Sequence, residues 1–405
     1  MQDQNLRPPG PLRADLQPDA PAFGADDTGD AGARLSGIRG RDLRAEPRGD
    51  VCRVSPAPGQ DIAAGPVSGG GRGASGGGDR DGSPLRGARG RGDHARPDFS
   101  LRVDADGYAW WYVDGVSDDG SRAVSVIGFI GSVFSPWYKW SGRRDPANHA
   151  CINVATYGPG GRFTMTDRGR SALRQSRDTL QVGPSRMHWT GTSLVIDIDE
   201  VSAPPIISRV RGRITLTPSA VTSLEATLTP DGSHIWRPFA PMARIEVDLT
   251  QGHCWQGHGY FDANFGTAAL EADFRYWTWG RFPLQGRTVC FYDAIRSDGT
   301  TLKLGVEVAP DGTIREIAPP PLTPMARTLW ALRRETRADA GTKPRQLMAM
   351  LDAPFYSRSL VQTRLDGEDS VGVHEALDLR RFANPLLKPM LALRVPRRAG
   401  WTFQD

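Results

Sequence analysis

The sequence predicts an all-β protein with two consecutive β-barrels or β-sandwiches and a few short helices. From Pro97 onward, short apolar or alternating runs such as YAWWYVDGVS are separated by turn residues, which is the pattern of many short strands. Asp-Gly pairs at 231–232, 298–299 and 311–312 each separate two candidate strands. Glycine readily supplies the positive φ of a tight hairpin turn, so these pairs indicate antiparallel hairpins.

The individual elements follow from the period of the apolar residues. Alternation with period two predicts strands in LVIDIDEV (194–201) and RITLTP (213–218). Partly helical patterns occur only at 323–336 and 374–391. The run at 123–138 is interrupted by Ser, Gly and Pro and is too short to cross about 30 Å of hydrocarbon as a helix. It is either an ordinary buried strand, or the wall of a ligand tunnel or a membrane-touching lip.

The composition divides the 405 residues into a tail and two predicted domains. Residues 1–96 are dominated by Gly, Pro, Arg, Asp and Ala, and their one aromatic residue is Phe23. Such a segment cannot bury enough apolar surface to offset its ordering entropy, so we predict a disordered tail. The rest is too long for one small core, and we place the first domain at 97–240 and the second at 241–401.

Charge and cysteine usage narrow the class of protein. Lys and Arg number 50 and Asp and Glu 46, a net charge of +4, which does not indicate nucleic-acid binding in a chain without a recognition motif. The four cysteines include no CxxC pair, and the N-terminus is polar and proline-rich, without the apolar segment of a signal peptide. We therefore expect reduced cysteines and a cytoplasmic location.

Four residue pairs between 234 and 279 place side chains of functional interest on a common face, because side chains two apart on a strand point the same way. The pairs are His234 and Trp236, His253 and Trp255 beside Cys254, Tyr260 and Asp262, and Trp277 and Trp279. Each has a structural alternative, since tryptophans pack in cores, histidines serve as hydrogen-bonding residues, and aspartates cap turns. The density of these pairs in one part of the chain favours a functional site.

Other chemistries fit the sequence less well. His253 and His258 lack the HExxH or CxxC spacing of zinc sites, and no phosphate-binding or dinucleotide-binding fingerprint follows a predicted strand. We therefore expect neither a metal nor a cofactor. Asp262 and Asp293 could pair as the two carboxyls of a glycosidase, an alternative that only their positions in the fold can test.

Four stretches occur in a characteristic order: VIGFIGSVFSPWYKW, His234-Ile-Trp236, GHGYFDANFG with RYWTWGRF, and VGVHEALDLRRFANPLLKPMLALRVPRR. Together they resemble the acyclic carotenoid 1,2-hydratase family, also called hydroxyneurosporene synthases, from about Pro97 to Trp401. The resemblance implies two lipocalin-like β-barrels and the addition of water to the terminal double bond of linear carotenoids such as neurosporene and lycopene, without a redox cofactor. It also implies that the His-x-Trp and Tyr-x-Asp pairs are functional.

Hydration of an isolated alkene begins with protonation by an acid that is neutral near pH 7. The pKa of a carboxyl in water lies near 4, but burial among rings raises it. We therefore predict that Asp262 is the general acid. Trp236 first, and Tyr260 second, are candidates to stabilise the cation through their π faces. His234 either deprotonates the attacking water or is a hydrogen-bond partner of Asp262.

The substrate that the resemblance implies is long and apolar. We expect Trp277, Trp279 and Phe265 to contact it, and the protein to associate peripherally with the cytoplasmic face of the inner or photosynthetic membrane. Two rival hypotheses keep the same β scaffold. One is a non-enzymatic protein that binds lipid or carotenoid, and the other is a sugar-binding or sugar-cleaving β-sandwich.

Overall fold

The computed structural model describes residues 85–87 and 96–398, which belong to one compact unit. The chain is predominantly β, as predicted, with two successive antiparallel sheets and a few short helices. Most of the predicted tail, 1–96, lies outside the described residues. Leu85–Gly87 is an exception to the predicted disorder, since it forms a strand paired with Leu224–Thr227.

The first sheet contains thirteen strands. They are β1 (Leu85–Gly87), β2 (Tyr108–Ser117), β3 (Ala123–Ile130), β4 (Ala150–Tyr157), β5 (Arg162–Thr164), β6 (Leu173–Gln175), β7 (Thr179–Val182), β8 (Ser185–Trp189), β9 (Leu194–Val201), β10 (Arg209–Pro218), β11 (Leu224–Thr227), β12 (His234–Leu249) and β13 (His253–Gly266). Their order across the sheet is β5-β4-β3-β2-β13-β12-β10-β9-β8-β7-β6, while β11 pairs with β1 and β12.

The remaining strands form a seven-stranded and a two-stranded sheet. They are β14 (Phe274–Leu284), β15 (Arg287–Arg296), β16 (Thr301–Val308), β17 (Ile314–Glu316), β18 (Leu322–Met325), β19 (Arg334–Arg337), β20 (Arg345–Asp352), β21 (Tyr356–Leu365) and β22 (Glu368–Asp378). The larger sheet has the order β17-β16-β15-β14-β22-β21-β20, and β18 pairs with β19.

The α-helices of the described residues are all short. They are α1 (Pro136–Trp140), α2 (Leu270–Asp273), α3 (Leu379–Ala383) and α4 (Lys388–Arg394), and 3₁₀ turns lie at Pro146–Asn148, Arg170–Ala172 and Pro385–Leu387. No helix in this part of the chain is both long enough and apolar enough to cross a membrane.

The local strand and turn predictions are confirmed. LVIDIDEV is β9 and RITLTP is the end of β10. All three Asp-Gly pairs join antiparallel strands, and Gly232, Gly299 and Gly312 have φ of 73°, 92° and 83°. These angles require glycine in practice, because a Cβ disfavours the left-handed region.

The helix predictions are confirmed in part. Segment 323–336 is not helical, because its two ends belong to β18 and β19, which pair with each other. Helix-forming residues such as Ala, Leu and Arg are abundant there, but strand pairing overrides that propensity. Segment 374–391 begins in β22 and then contains α3 and part of α4. Pro385 separates these helices, since proline has no N–H to continue a helix.

Two core clusters position the site. One contains residues of the first sheet alone, including Trp111 and Phe261, and the other joins both sheets through residues such as Tyr260 and Trp279. Strand β2 is buried along all ten residues. The centre of the first sheet is therefore covered on both faces, and one of those faces is shared with the second sheet.

The boundary predicted at residue 240 falls inside β12, and the change from the first sheet to the second comes between Gly266 and Phe274. Whether 97–240 and 241–401 are domains that fold separately stays a prediction. Cys151 and Cys290 are buried and free. Cys254 is disulfide-bonded, so the expectation of reduced cysteines is wrong for Cys254.

Candidate active site

The two polar–aromatic pairs meet through the register of neighbouring strands. His234 and Trp236 begin β12, and Tyr260 and Asp262 lie within β13. Antiparallel pairing sets Trp236 opposite Asn264, so Trp236 and Asp262 are diagonal neighbours on one face, within reach of a long side chain. His234, Trp236 and Tyr260 have no exposed surface, and Asp262 is 3% exposed.

Only one of the two carboxyl oxygens of Asp262 accepts hydrogen bonds from described residues. The indole N–H of Trp236 and the hydroxyl of Tyr260 both donate hydrogen bonds to Oδ2, each at 2.8 Å. Oδ1 is buried and has no hydrogen-bond partner among the described residues. Because Oδ2 accepts two hydrogen bonds, the proton of the neutral acid belongs on Oδ1, where it has no competing acceptor.

Burial raises the pKa of Asp262 to about 8, although the hydrogen bonds from Trp236 and Tyr260 partly oppose this shift. A carboxyl with this pKa is mostly protonated at pH 7. The rings responsible are not all the ones adjacent in sequence. Phe261 lies on the opposite face of β13, in the core of the first sheet, whereas Tyr260 of β13 and Trp236 of β12 contact the carboxyl directly.

Asp262 opens onto a cavity of about 40 Å³, here called the Asp262 chamber. Both sheets line it with rings, among them Trp110, Tyr112, Phe129, Trp277, Trp279 and Tyr292. The predicted pair Trp277 and Trp279 therefore does face Asp262. Asn264, Arg358 and Glu375 supply further polar groups. The volume is enough for a few water molecules, and the polar groups provide partners for them.

A larger apolar cavity of about 260 Å³ adjoins the Asp262 chamber. The two share Ile127, Phe134, Tyr356 and Arg358 as walls. The apolar cavity is also lined by side chains such as Phe163, Met165, Phe355, Met390 and Leu391. It therefore lies between α4 and the Asp262 chamber. The run 123–138 supplies part of the wall, and its first half is also a buried strand.

A protein-family model described as "Carotenoid hydratase CrtC" matches residues 126–404. The chain belongs to the carotenoid hydratase family. An acyclic carotenoid 1,2-hydratase of Cereibacter sphaeroides is 70% identical over 278 residues, which are 69% of this chain and 100% of the relative. An acyclic carotenoid 1,2-hydratase of Rhodobacter capsulatus is 65% identical over 281 residues, again 69% and 100%.

Among solved structures, kievitone hydratase from Nectria haematococca is similar over 70% of this chain and 96% of its own. The sequence identity is 11% and the TM-score is 0.44. These values are too low to carry an argument about the site.

In this member of the carotenoid hydratase family, His234 is engaged away from Asp262. Its Nε2–H donates to Asp273 Oδ2 at 2.8 Å, so Nδ1 accepts from the hydroxyl of Tyr108 at 2.9 Å. Burial lowers the pKa of His234, with Asp273 acting in the opposite direction. His234 lines no part of the Asp262 chamber. The predicted hydrogen bond between His234 and Asp262 is not formed, because His234 lies opposite Gly266, at the end of the strand pair. The predicted role of His234 as base stays a prediction.

Two other predicted neighbours of Asp262 lie elsewhere. Phe265 is an odd number of residues from Asp262, so it points to the other face of β13 and packs on Trp111 with ring centroids 6.3 Å apart. Phe265 therefore does not line the Asp262 chamber. Asp293 accepts hydrogen bonds from Arg337 and is also absent from the chamber walls. The glycosidase-like pair of Asp262 and Asp293 is not assembled.

Sequence reasoning missed Glu375 and Arg358. Glu375 lies in β22 opposite Trp279 of β14 and opposite Arg358 of β21. Arg358 Nε–H donates to Glu375 Oε1 at 2.6 Å. Glu375 sits in the quoted stretch VGVHEALD, and its even spacing from Val373 and Leu377 was the only local signal. Its relation to Asp262 depends on how the two sheets pack.

Proposed function

We propose that the protein is a cofactor-independent hydro-lyase that adds water to the terminal C1=C2 double bond of acyclic carotenoids such as neurosporene and lycopene. The observation that carries this proposal is the buried carboxyl of Asp262, which has only uncharged hydrogen-bond donors and lines a ring-walled chamber next to an apolar cavity. Membership of the carotenoid hydratase family and the names of the relatives support the same reaction. A protein that only binds carotenoid has no use for an acid held in this state.

The first step is proton transfer from Asp262 Oδ1 to the less substituted alkene carbon, which leaves a tertiary cation. The hydrogen bonds from Trp236 and Tyr260 to Oδ2 strengthen as Asp262 becomes a carboxylate, because hydrogen bonds to charged acceptors are stronger. They therefore stabilise the charge that develops in the transition state. The geometry supports Trp236 as a donor to Asp262 rather than as the ring facing the cation.

The cation is stabilised by ring faces that line the Asp262 chamber. Trp277, Trp279 and Tyr292 are positioned for this, and a desolvated cation–π contact contributes about 2 kcal/mol or more. Water in the chamber then attacks the cation and forms the tertiary alcohol. The apolar cavity would hold the part of the polyene next to the reacting end.

The test is direct. Purified protein is incubated with lycopene or neurosporene in oxygen-18-labelled water, without added cofactor. The products are separated by polarity, and their molecular masses are measured by mass spectrometry. We expect a more polar product that has gained one water molecule and carries the oxygen label. Bound but chemically unchanged carotenoid would instead support a binding protein.

We also propose that the protein docks on the membrane surface through the outer end of the apolar cavity. Three apolar side chains are exposed there: Ile206, Ile207 and Leu393. Arg394 of α4 donates a hydrogen bond from Nη1–H to the carbonyl of Pro204 at 2.6 Å, which joins α4 to the loop between β9 and β10. Exposed apolar side chains next to a cation suit the interface of an anionic bilayer.

Co-sedimentation with phosphatidylcholine–phosphatidylglycerol vesicles tests this docking. The double change Ile207→Ser with Leu393→Ser should weaken vesicle binding several-fold, because each removes an exposed apolar side chain. Leu101→Ser, at an exposed leucine elsewhere, is the matched control and should bind like the unchanged protein. Equal binding of all three proteins would contradict docking at this surface.

A further inference from the structure

The proposed hydration needs a group that accepts a proton from the attacking water, and that group must reach the Asp262 chamber. His234 is bonded to Tyr108 and Asp273 and lines no part of the Asp262 chamber. Two carboxyl groups do line the chamber, those of Asp262 and Glu375. Asp262 enters from the first sheet and Glu375 from the second.

We propose that Glu375 is the catalytic base that deprotonates the attacking water, and that Arg358 is the residue that positions it. This inference rests on the proposed function. The two carboxyls line the same chamber from different sheets. One can therefore act on the alkene end and the other on the water molecule. General acid–base catalysis requires such reach, directly or through one water.

The two carboxyls have different hydrogen-bond partners. Asp262 receives only neutral donors, Trp236 and Tyr260. Glu375 receives a charged donor, the guanidinium of Arg358. Pairs of titratable groups with divergent surroundings identify the acid and the base of an active site.

Arg358 is fixed on several sides. Its Nη1–H groups donate to Ser125 Oγ at 2.6 Å and to the hydroxyl of Tyr157 at 3.2 Å. Its guanidinium lies over the rings of Tyr112 and Tyr356, at 5.0 and 5.5 Å from their centroids. A cation held in this way keeps the Glu375 carboxylate in one place at the chamber wall.

The steps balance without another reactant. The O–H bond of Asp262 breaks and a C–H bond forms at the less substituted alkene carbon. Water oxygen donates a lone pair to the tertiary cation and forms the C–O bond. The O–H bond of that water then breaks, and its proton goes to the Glu375 carboxylate. Water in the chamber returns this proton from Glu375 to Asp262, which restores both groups.

The test needs variants that distinguish loss of the Glu375 base from the effect of leaving Arg358 buried without its ion-pair partner. Glu375→Gln removes the base but leaves Arg358 buried without its carboxylate, which can prevent folding. The double change Arg358→Met with Glu375→Gln removes both charges, and Ser125 and Tyr157 remain hydrogen-bonded to each other at 2.9 Å. Replacing a buried ion pair by uncharged residues is often tolerated.

A matched control uses another buried arginine–glutamate pair. Arg168 Nη1–H and Nη2–H donate to the two oxygens of Glu200 at 3.0 and 2.6 Å, and neither residue lines the Asp262 chamber. Arg168→Met with Glu200→Gln therefore removes the same charges from a site without substrate. We expect this variant to hydrate like the unchanged protein.

The reaction is run in deuterium oxide with lycopene or neurosporene. In Glu375→Gln and in the double variant, we expect hydration to fall about 100-fold or more, as for loss of a general base. Asp262 still forms the cation, which then loses a methyl proton to the Asp262 carboxylate. An isomerised alkene carrying one deuterium should therefore accumulate, and its ratio to alcohol should rise at least about tenfold.

Three results would be decisive against this role. Folded variants that make alcohol and isomerised alkene in the unchanged ratio would overturn the proposal at once. Equal loss of both products would also overturn it, because Glu375 would then act on cation formation and not on water. Failure of the unchanged protein to hydrate either carotenoid would reject the proposed function itself.

Discussion

Asp114 and Asp262 are two buried carboxyls on neighbouring strands with different partners. Strand pairing sets Asp114 opposite Tyr260 and Asp262 opposite Tyr112, so the two acids are close on one face. Asp114 accepts a hydrogen bond from Arg281 Nε at 2.7 Å and another from the Tyr112 hydroxyl at 3.0 Å. Asp262 accepts from an indole and a phenol, and it forms no ion pair within the described residues.

The difference shows that burial alone does not make a proton donor. Asp114 has no exposed surface and Asp262 is 3% exposed, yet only Asp262 is without a cation. Asp114 has the guanidinium of Arg281 beside it, whereas Asp262 has only neutral donors, and burial without a neighbouring cation raises the pKa of a carboxyl. After burial, nearby Glu375 and then Asp114 also contribute to the raised pKa of Asp262.

The largest expected effect is on catalysis. Asp262→Asn keeps an oxygen that can accept from Trp236 and Tyr260, but it has no acidic proton. We expect hydration of lycopene to fall about 10³-fold or more, within the range for loss of a general acid. Alcohol formation measured by chromatography checks this. A folded variant, shown by an unchanged near-ultraviolet circular dichroism spectrum, that hydrates at the original rate would contradict the role of Asp262.

The second-largest expected effect is on stability, and replacing the two carboxyls should change the free energy of unfolding in different directions. Asp114→Asn leaves the buried guanidinium of Arg281 without its counter-charge, so the free energy of unfolding should fall by about 3–5 kcal/mol. Asp262→Asn removes a carboxyl that folding must protonate, so the variant should gain stability relative to the unchanged protein as the pH rises.

The sign of this pH dependence follows from the pKa of Asp262, about 8 in the folded chain against 3.8 as the ordinary value. Between these values the folded chain binds one more proton than the unfolded chain, so the contribution of Asp262 to stability falls as the pH rises. The free energy of unfolding of Asp262→Asn, minus that of the unchanged protein, should increase by about 1.4 kcal/mol per pH unit.

Urea unfolding at several pH values between about 5.5 and 7.5 measures this difference. A difference that stays constant with pH would mean that Asp262 is ionised in the folded protein. In that case the contrast between Asp262 and Asp114 would not exist.

Local pattern was enough to predict one part of the site. Residues two apart on a strand share a face, and this rule placed Tyr260 with Asp262 on one face of β13 and Trp277 with Trp279 on one face of β14. The same rule, applied to Phe265, would have excluded it from the site, because an odd spacing from Asp262 turns its side chain to the other face. The Asp-Gly hairpins were also predictable, since each depends on two adjacent residues.

Other features depend on contacts between segments far apart in sequence. The engagement of His234 by Asp273 and the convergence of Glu375 on Asp262 are set by strand register and by the packing of one sheet on the other. The segment 323–336 has helix-forming residues, but its ends pair as strands. No local pattern encodes which strand will lie beside another.

The smallest expected effect concerns the hydrogen bonds that tune Asp262. Tyr260→Phe removes a donor to Oδ2 that stabilises the carboxylate, so the pKa of Asp262 should rise. Hydration requires protonated Asp262 and should be lost as the pH rises through about 8 in the unchanged protein. In Tyr260→Phe this alkaline loss should move upward by about one pH unit.

Tyr112→Phe is the matched control, because Tyr112 donates to Asp114 and not to Asp262. Tyr112 lines the Asp262 chamber, so Tyr112→Phe can change the rate of hydration. The pH at which activity is lost should be the same as in the unchanged protein. Rates of hydration measured across the alkaline range would show the two outcomes together. If activity is lost at a lower pH in Tyr260→Phe, or if the pH of loss changes equally in both variants, the donors to Oδ2 do not set the pKa of Asp262.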